Sequence, residues 1–168
     1  MIGKWNIKKI LKEILIGLLL LFVLSNVFSY IRKPDLDSNT FPQTKSQLID
    51  GTYFVTSKIK GKPIFVHFWA TWCPTCKLEA SNIQALSKKY EVLTIAVKSG
   101  SNEALKKYMY KNGLDFKVIN DTHGNWAEEF KIEAFPTTFI YDKSGELTFT
   151  EVGYTTTAGL IARIEMLK

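Results

Sequence analysis

Residues 64–76 read Ile64-Phe65-Val66-His67-Phe68-Trp69-Ala70-Thr71-Trp72-Cys73-Pro74-Thr75-Cys76. The first six form an apolar run that reads as a buried strand. From Lys77 to Tyr90, the apolar positions Leu78, Ile83, Ala85 and Leu86 suit a helix packed on one face. The chain has two cysteines, and both fall on the turn between strand and helix, so all of its sulfur chemistry sits in one Cys-x-x-Cys pair. A thiol at a helix N-terminus meets unpaired backbone N–H groups and the positive end of the helix dipole, which favour thiolate over thiol. Cys73 is the expected nucleophile and Cys76 the resolving thiol.

The spacing accounts for the exchange chemistry. A thiolate that attacks a partner's disulfide forms a mixed disulfide, and a second thiol one turn into the helix can attack intramolecularly and release the reduced partner. Run backwards, the pair oxidises. The competing readings are a structural disulfide or half of a zinc site. A tetrahedral zinc site needs four ligands, and only His67 and His123 remain to complete one, neither at finger-like spacing from the pair. The pattern points to redox exchange, without metal or other cofactor.

The amino terminus sets the compartment. Residues 14–31 are 18 positions without a charge, roughly 27 Å as a helix at about 1.5 Å per residue, close to a bilayer core. Lys4, Lys8, Lys9 and Lys12 precede the run, and Arg32 and Lys33 follow it. That bias favours a cytoplasmic N-terminus over residues 1–13. No small-x-small cleavage site follows the apolar core, and no cysteine lies near it, so an uncleaved single-span anchor at 14–31 is expected over a cleaved signal. The globular part then lies on the extracytoplasmic (periplasmic) side of the inner membrane.

Locating the charge removes a nucleic-acid reading. The formal net charge is +6, but residues 1–33 carry six Lys/Arg and one acid, leaving sixteen basic and fifteen acidic residues on the remainder. The soluble part is nearly neutral, and no basic patch with interleaved aromatics stands out.

Residues 32–46 are polar and hold two prolines, the composition of a short tether. Residues 47–168 are 122 positions, a normal size for one domain. In order they read as a hairpin around Tyr53 to Ile59, the strand and helix already described, a strand at Val92 to Val97, and a helix from Asn102 to Asn112 ended by Gly113. A short strand at Phe116 to Ile119 and a short helix at Trp126 to Phe130 follow. Strands at Thr138 to Tyr141 and Leu147 to Val152, joined by a glycine-bearing turn, and an amphipathic helix from Ala158 to Leu167 complete the domain. The expected class is α/β, with a central mixed sheet flanked by helices.

The chain resembles the membrane-anchored, extracytoplasmic thioredoxin-like proteins over all of residues 47–168. Within that group, Phe68 to Cys76, Leu93-Thr94-Ile95-Ala96-Val97-Lys98-Ser99-Gly100, Val118-Ile119-Asn120-Asp121 and Gly153-Tyr154-Thr155 are most similar to the protein disulfide oxidoreductases of the suppressor-of-copper-sensitivity D type. The Trp-Cys-Pro-Thr-Cys segment also resembles the thiol reductases of cytochrome c maturation.

The resemblance implies further site residues. It makes Pro136, in Phe135-Pro136-Thr137, a cis proline whose loop faces the cysteines and pairs with an incoming peptide; the alternative is a trans proline starting a strand. Thr137 then borders the sulfur pair. Glu79 matches the acid found three residues after the second cysteine in the anchored branch, one helical turn from Cys76, where a partly buried carboxylate takes the proton of the resolving thiol. Thioredoxin proper has an acid where this chain has His67, which reads better as a satisfied core histidine. The branch usually has a helix-kinking proline near Ser81; without it, a straighter helix is expected. Phe135 is bulkier than the usual residue at its position and narrows the substrate groove. Trp72, with Pro74 and Thr75, offers a landing surface over the thiols, whereas Trp69 and Trp126 read as packing. Asp121 and His123 read as members of a solvated turn.

Three functions follow. The first is a membrane-tethered thiol:disulfide oxidoreductase acting outside the cytoplasm on protein thiols and disulfides, with a membrane redox partner, in envelope redox or copper tolerance. The second is reduction of apocytochrome c thiols. The third is a Cu(I)-binding module that uses Cys73 and Cys76 as soft ligands. Oligomeric state is left open.

Overall fold

The computed structural model describes residues 7–59 and 61–167; within the first helix, the side chains of residues 7, 8, 22, 25, 26 and 28–30 fall outside the description. In order, the elements are α1 (Ile7–Ile31), β1 (Lys45–Gln47), β2 (Tyr53–Val55), a 3-10 turn (Thr56–Ile59), β3 (Ile64–Trp69), α2 (Pro74–Ser87), β4 (Glu91–Val97), α3 (Asn102–Lys111), β5 (Lys117–Asp121), α4 (Asn125–Glu129), β6 (Thr137–Tyr141), β7 (Leu147–Val152) and α5 (Thr157–Glu165). The chain divides into two compact units, Met1–Arg32 and Lys33–Lys168.

The first unit is built on α1. Leu15, Leu19, Leu21 and Ile31 are each more than 60% exposed. The run read as a span, residues 14–31, lies within α1, but several of its side chains fall outside the described residues. Among the described residues, no helix is long and apolar enough to cross a membrane.

The second unit is organised by a five-stranded sheet in the order β5-β4-β3-β6-β7. β3 is central, parallel to β4 and antiparallel to β6. Its six residues are all buried, as an apolar run covered on both faces requires. Alternation along β3 sends Phe65 and Trp69 into one core with Ile83 and Leu86 of α2, Leu105 of α3 and Leu160 and Ile164 of α5. Ile64, Val66 and Phe68 enter the opposite core with Phe54, Phe130 and Phe139. This is the expected thioredoxin-like α/β arrangement, with β5 as an edge strand beyond β4.

Two expectations are corrected. Residues 32–46 are not a free tether: Phe41 is 3% exposed, its ring 5.1 Å from that of Tyr141. Its amide donates to Gly145 O at 2.8 Å, and the Leu147 amide donates to Asn39 O at 2.7 Å. One aromatic anchor in a polar stretch docks the segment, and average composition hides it. The buried stripe of α2 also differs from the apolar positions read from sequence. Leu78 is 71% exposed and Ala85 is exposed, while Cys76, Glu79, Ile83 and Leu86 are buried. A glutamate occupies a core position, which a hydrophobicity pattern cannot reveal. α2 runs unbroken from Pro74 to Ser87.

Candidate active site

The cysteines sit where β3 hands over to α2, and Cys73 and Cys76 are joined as a disulfide with Cα atoms 5.3 Å apart. Cys73 is the N-cap of α2, and Pro74 opens the helix, where its missing N–H costs no helical bond. The Cys76 backbone amide donates to Cys73 Sγ at 3.2 Å. A sulfur in the N-cap place thus receives an orphan helical N–H, and reduction leaves that donor aimed at a developing thiolate. Cys73 is 5% exposed and Cys76 2%; Pro74 is exposed and Thr75 half-buried beside them.

The loop before β6 faces this turn. The Phe135–Pro136 peptide is cis, and Phe135 O lies 3.7 Å from Cys73 Sγ, where it can accept a hydrogen bond from the thiol of the reduced protein. Pro136 and Thr137 are buried. The Thr137 hydroxyl donates to Ala134 O at 2.9 Å, so it shapes the loop. Trp72 is 56% exposed, its ring edge-on to Phe135 at 5.5 Å, and its indole N–H donates to Lys98 O at 3.3 Å. Among the described residues, Lys98 is one of two non-glycine residues with positive φ, at 46°, a left-handed conformation that directs its carbonyl back to Trp72. Ser99, beside it, accepts the Thr71 amide at 3.0 Å. The exposed ring of Trp72, next to Cys73 in sequence, is therefore held by Phe135 on one side and by the Lys98 carbonyl on the other.

One turn beyond Cys76 on α2, Glu79 is wholly buried. Its Oε1 accepts the Thr155 amide at 3.0 Å, and its Oε2 has no partner among the described residues. Burial pushes its carboxyl up to about 7, partly opposed by the Thr155 hydrogen bond and reinforced by Glu151. That value suits a group exchanging protons near neutrality. Cross-strand register aligns His67 of β3, Thr138 of β6 and Glu151 of β7 in one row, so these side chains share a sheet face. His67 Nδ1 lies 2.9 Å from Thr138 Oγ1, and burial lowers its pKa to about 3. The imidazole is neutral at physiological pH and a poor proton acceptor, as expected of a core histidine. Glu151 pairs with Arg163 of α5 at 2.6 Å.

The profile of the family described as Redoxin matches residues 36–164. The chain belongs to the Redoxin family. It is similar to a thioredoxin-like protein of Haemophilus influenzae, 31% identical over 160 residues and covering 95% of each chain. It is also similar to the thiol-disulfide oxidoreductase ResA of Geobacillus kaustophilus, 29% identical over 116 residues and covering 67% of each. Among solved structures, the exposed lipoprotein thioredoxin of Streptococcus pneumoniae superposes with a TM-score of 0.66 at 26% identity, over 75% of this chain and 100% of that one. With its Cys-x-x-Cys pair, this Redoxin-family protein is a thiol-disulfide oxidoreductase.

The structure brings Cys73, Cys76, Phe135 and Trp72 together, with Pro74 and Thr75 between the two cysteines, Pro136 and Thr137 buried in the loop after Phe135, and Glu79 buried one turn beyond Cys76 on α2. Trp69 is core, its indole donating to Thr94 Oγ1 at 3.1 Å, and Trp126 stacks on Phe130 at 5.7 Å. Asp121 corrects its reading as part of a solvated turn. It is 5% exposed, and its carboxylate accepts the amides of Gly124 at 3.1 Å and Ala127 at 3.0 Å, capping α4. His123 is exposed. Sequence reasoning missed Lys98, Asn82 and Thr155 as parts of the site's frame. Asn82, three residues beyond Glu79 on the helix, was the available signal, because a polar pair at that spacing shares a face.

Proposed function

We propose that this enzyme is a membrane-tethered thiol:disulfide oxidoreductase working on the extracytoplasmic side, as a reductase or isomerase-like partner for protein substrates. The observation that carries the thiol chemistry is the Cys76 amide donated to Cys73 Sγ at the helix N-cap. In the reducing direction, the Cys73 thiolate attacks a substrate disulfide, forms a mixed disulfide and expels one substrate thiolate. Cys76 then gives its proton to Glu79 and attacks Cys73 Sγ, breaking the bond to the substrate. The Cys73–Cys76 disulfide forms, a second substrate thiolate leaves, and two electrons have passed to the substrate. Trp72, Pro74, Thr75 and the Phe135-Pro136-Thr137 loop form the docking surface. A membrane redox partner re-reduces the pair.

The proposed tether is the uncharged run at 14–31 with lysines before it, and client chemistry in envelope redox or copper tolerance is the reading that the sequence resemblance supports. Alkylation of the reduced protein with an impermeant reagent on intact cells, followed by peptide mapping, tests both claims. Early labelling of Cys73 from the outside in carbonate-washed membranes is expected. First labelling of Cys76 reverses the thiol roles, and a soluble mature chain starting near residue 30 shows that the run is cleaved. Mixed disulfides trapped with Cys76→Ser, identified by mass spectrometry, distinguish copper-pathway clients from apocytochrome c.

A further inference from the structure

Glu79 and Asn82 leave α2 three residues apart, on one face and a turn from each other. Both reach the strap between β7 and α5. The Thr155 amide donates to Glu79 Oε1 at 3.0 Å. Asn82 Nδ2 donates to Thr155 O at 3.0 Å and to the Tyr154 hydroxyl at 3.3 Å. Thr155 is therefore gripped at its N–H by one side chain of α2 and at its C=O by the other. The ends of the strap are fixed separately: the Gly153 amide donates to Pro136 O at 2.8 Å, and the Thr156 hydroxyl accepts the Gly159 amide at 3.2 Å. Gly153 has φ of 91°, so the chain turns sharply off the proline loop before running past Glu79.

We propose that Asn82 is a positioning residue for the buried carboxylate: by anchoring Thr155 O and the Tyr154 hydroxyl, it aims the Thr155 amide at Glu79 Oε1 and sets how readily that group takes the proton of Cys76. The inference rests on reading Glu79 as the proton acceptor. Its weight comes from how little else supports the charge. Glu79 has no exposed surface, and its second oxygen is unpartnered among the described residues, so one N–H carries the hydrogen bonding that offsets burial. Hydrogen bonds weaken steeply as their angle bends, and a strap free to rotate about Thr155 loses this one.

The titratable and charged groups around Glu79 are few. Cys76 precedes it on α2. Glu151 of β7 raises its proton affinity, and Arg163 of α5 is paired with Glu151. His67 of β3 lies on the same sheet face and is neutral. None of them donates a hydrogen bond to Glu79, and none touches Asn82 among the described contacts.

The test is Asn82→Ala in the full-length protein. Alanine is the strongest helix former, so the substitution does not handicap α2. Infrared titration of the protonated carboxyl band, assigned by its loss in Glu79→Gln, reads the Glu79 midpoint directly in the oxidised protein. Single-turnover release of a Cys73-linked mixed disulfide across pH reads the chemistry. The midpoint is expected to rise by about one pH unit, roughly tenfold in proton affinity, with the release profile moving alongside. In a Glu79→Gln background, Asn82→Ala should leave the profile in place. An unchanged midpoint in Asn82→Ala overturns the inference whatever the kinetics do. A displaced midpoint with an unmoved release profile upholds the positioning role and removes Glu79 as the proton acceptor.

Discussion

Replacing Glu79 by glutamine should change how stability depends on pH, by an amount that follows from the site. The carboxyl titrates at about 7 in the folded protein against an ordinary 4.5. At about 1.4 kcal/mol per pKa unit, that difference is on the order of 3 kcal/mol. Its sign is the reverse of a salt-bridged acid. Between the two values the folded chain holds a proton that the unfolded chain has lost, so stability falls as pH rises through that window. Glutamine cannot ionise. Its amide still accepts the Thr155 N–H but places donors where Oε2 has no partner, a cost of about 1–3 kcal/mol that does not vary with pH. The variant should therefore be the less stable protein near pH 4.5 and gain about 3 kcal/mol relative to the parent by pH 8. Urea unfolding of the oxidised full-length proteins, followed by tryptophan fluorescence, measures this. With a slope of about 2 kcal/mol per M, the relative midpoint should move by roughly 1.5 M across that range. Parallel curves from pH 4.5 to 8 would refute the claim that burial governs this carboxyl.

Ile83→Ala, at a fully buried α2 position between sheet and α5, should cost about 2–5 kcal/mol in urea unfolding. Asp121→Ala removes the acceptor of two α4 amides and should cost about 1–2 kcal/mol, with faster hydrogen exchange confined to residues 124–130. Trp72→Ala should lower stability by about 1 kcal/mol or less, because the ring is 56% exposed and its main partner is Phe135. Its second-order rate with an unfolded disulfide substrate should fall several-fold; an unchanged rate would remove Trp72 from the docking surface.

The sequence by itself determined the parts whose signals are local. Ile64 to Trp69 is apolar at every position except His67, and a strand that reads that way has to be covered on both faces, which places it at the centre of a sheet. Two cysteines, three residues apart at the next turn, determine the redox pair and the helix N-terminus that serves it, because capping and dipole depend on a few consecutive residues. The docked segment around Phe41 and the capping role of Asp121 were not legible in this way. One aromatic or one acid has no periodicity, and its burial depends on residues such as Tyr141 and Ala127 that are close only after folding. Glu79 shows the division most clearly. Its distance from Cys76 is set by the helix and readable in advance, but its proton affinity is decided by complete burial, one amide from Thr155 and the carboxylate of Glu151. Those groups come from one strand and a loop more than 70 residues away, and only the packed fold brings their fields onto one carboxyl.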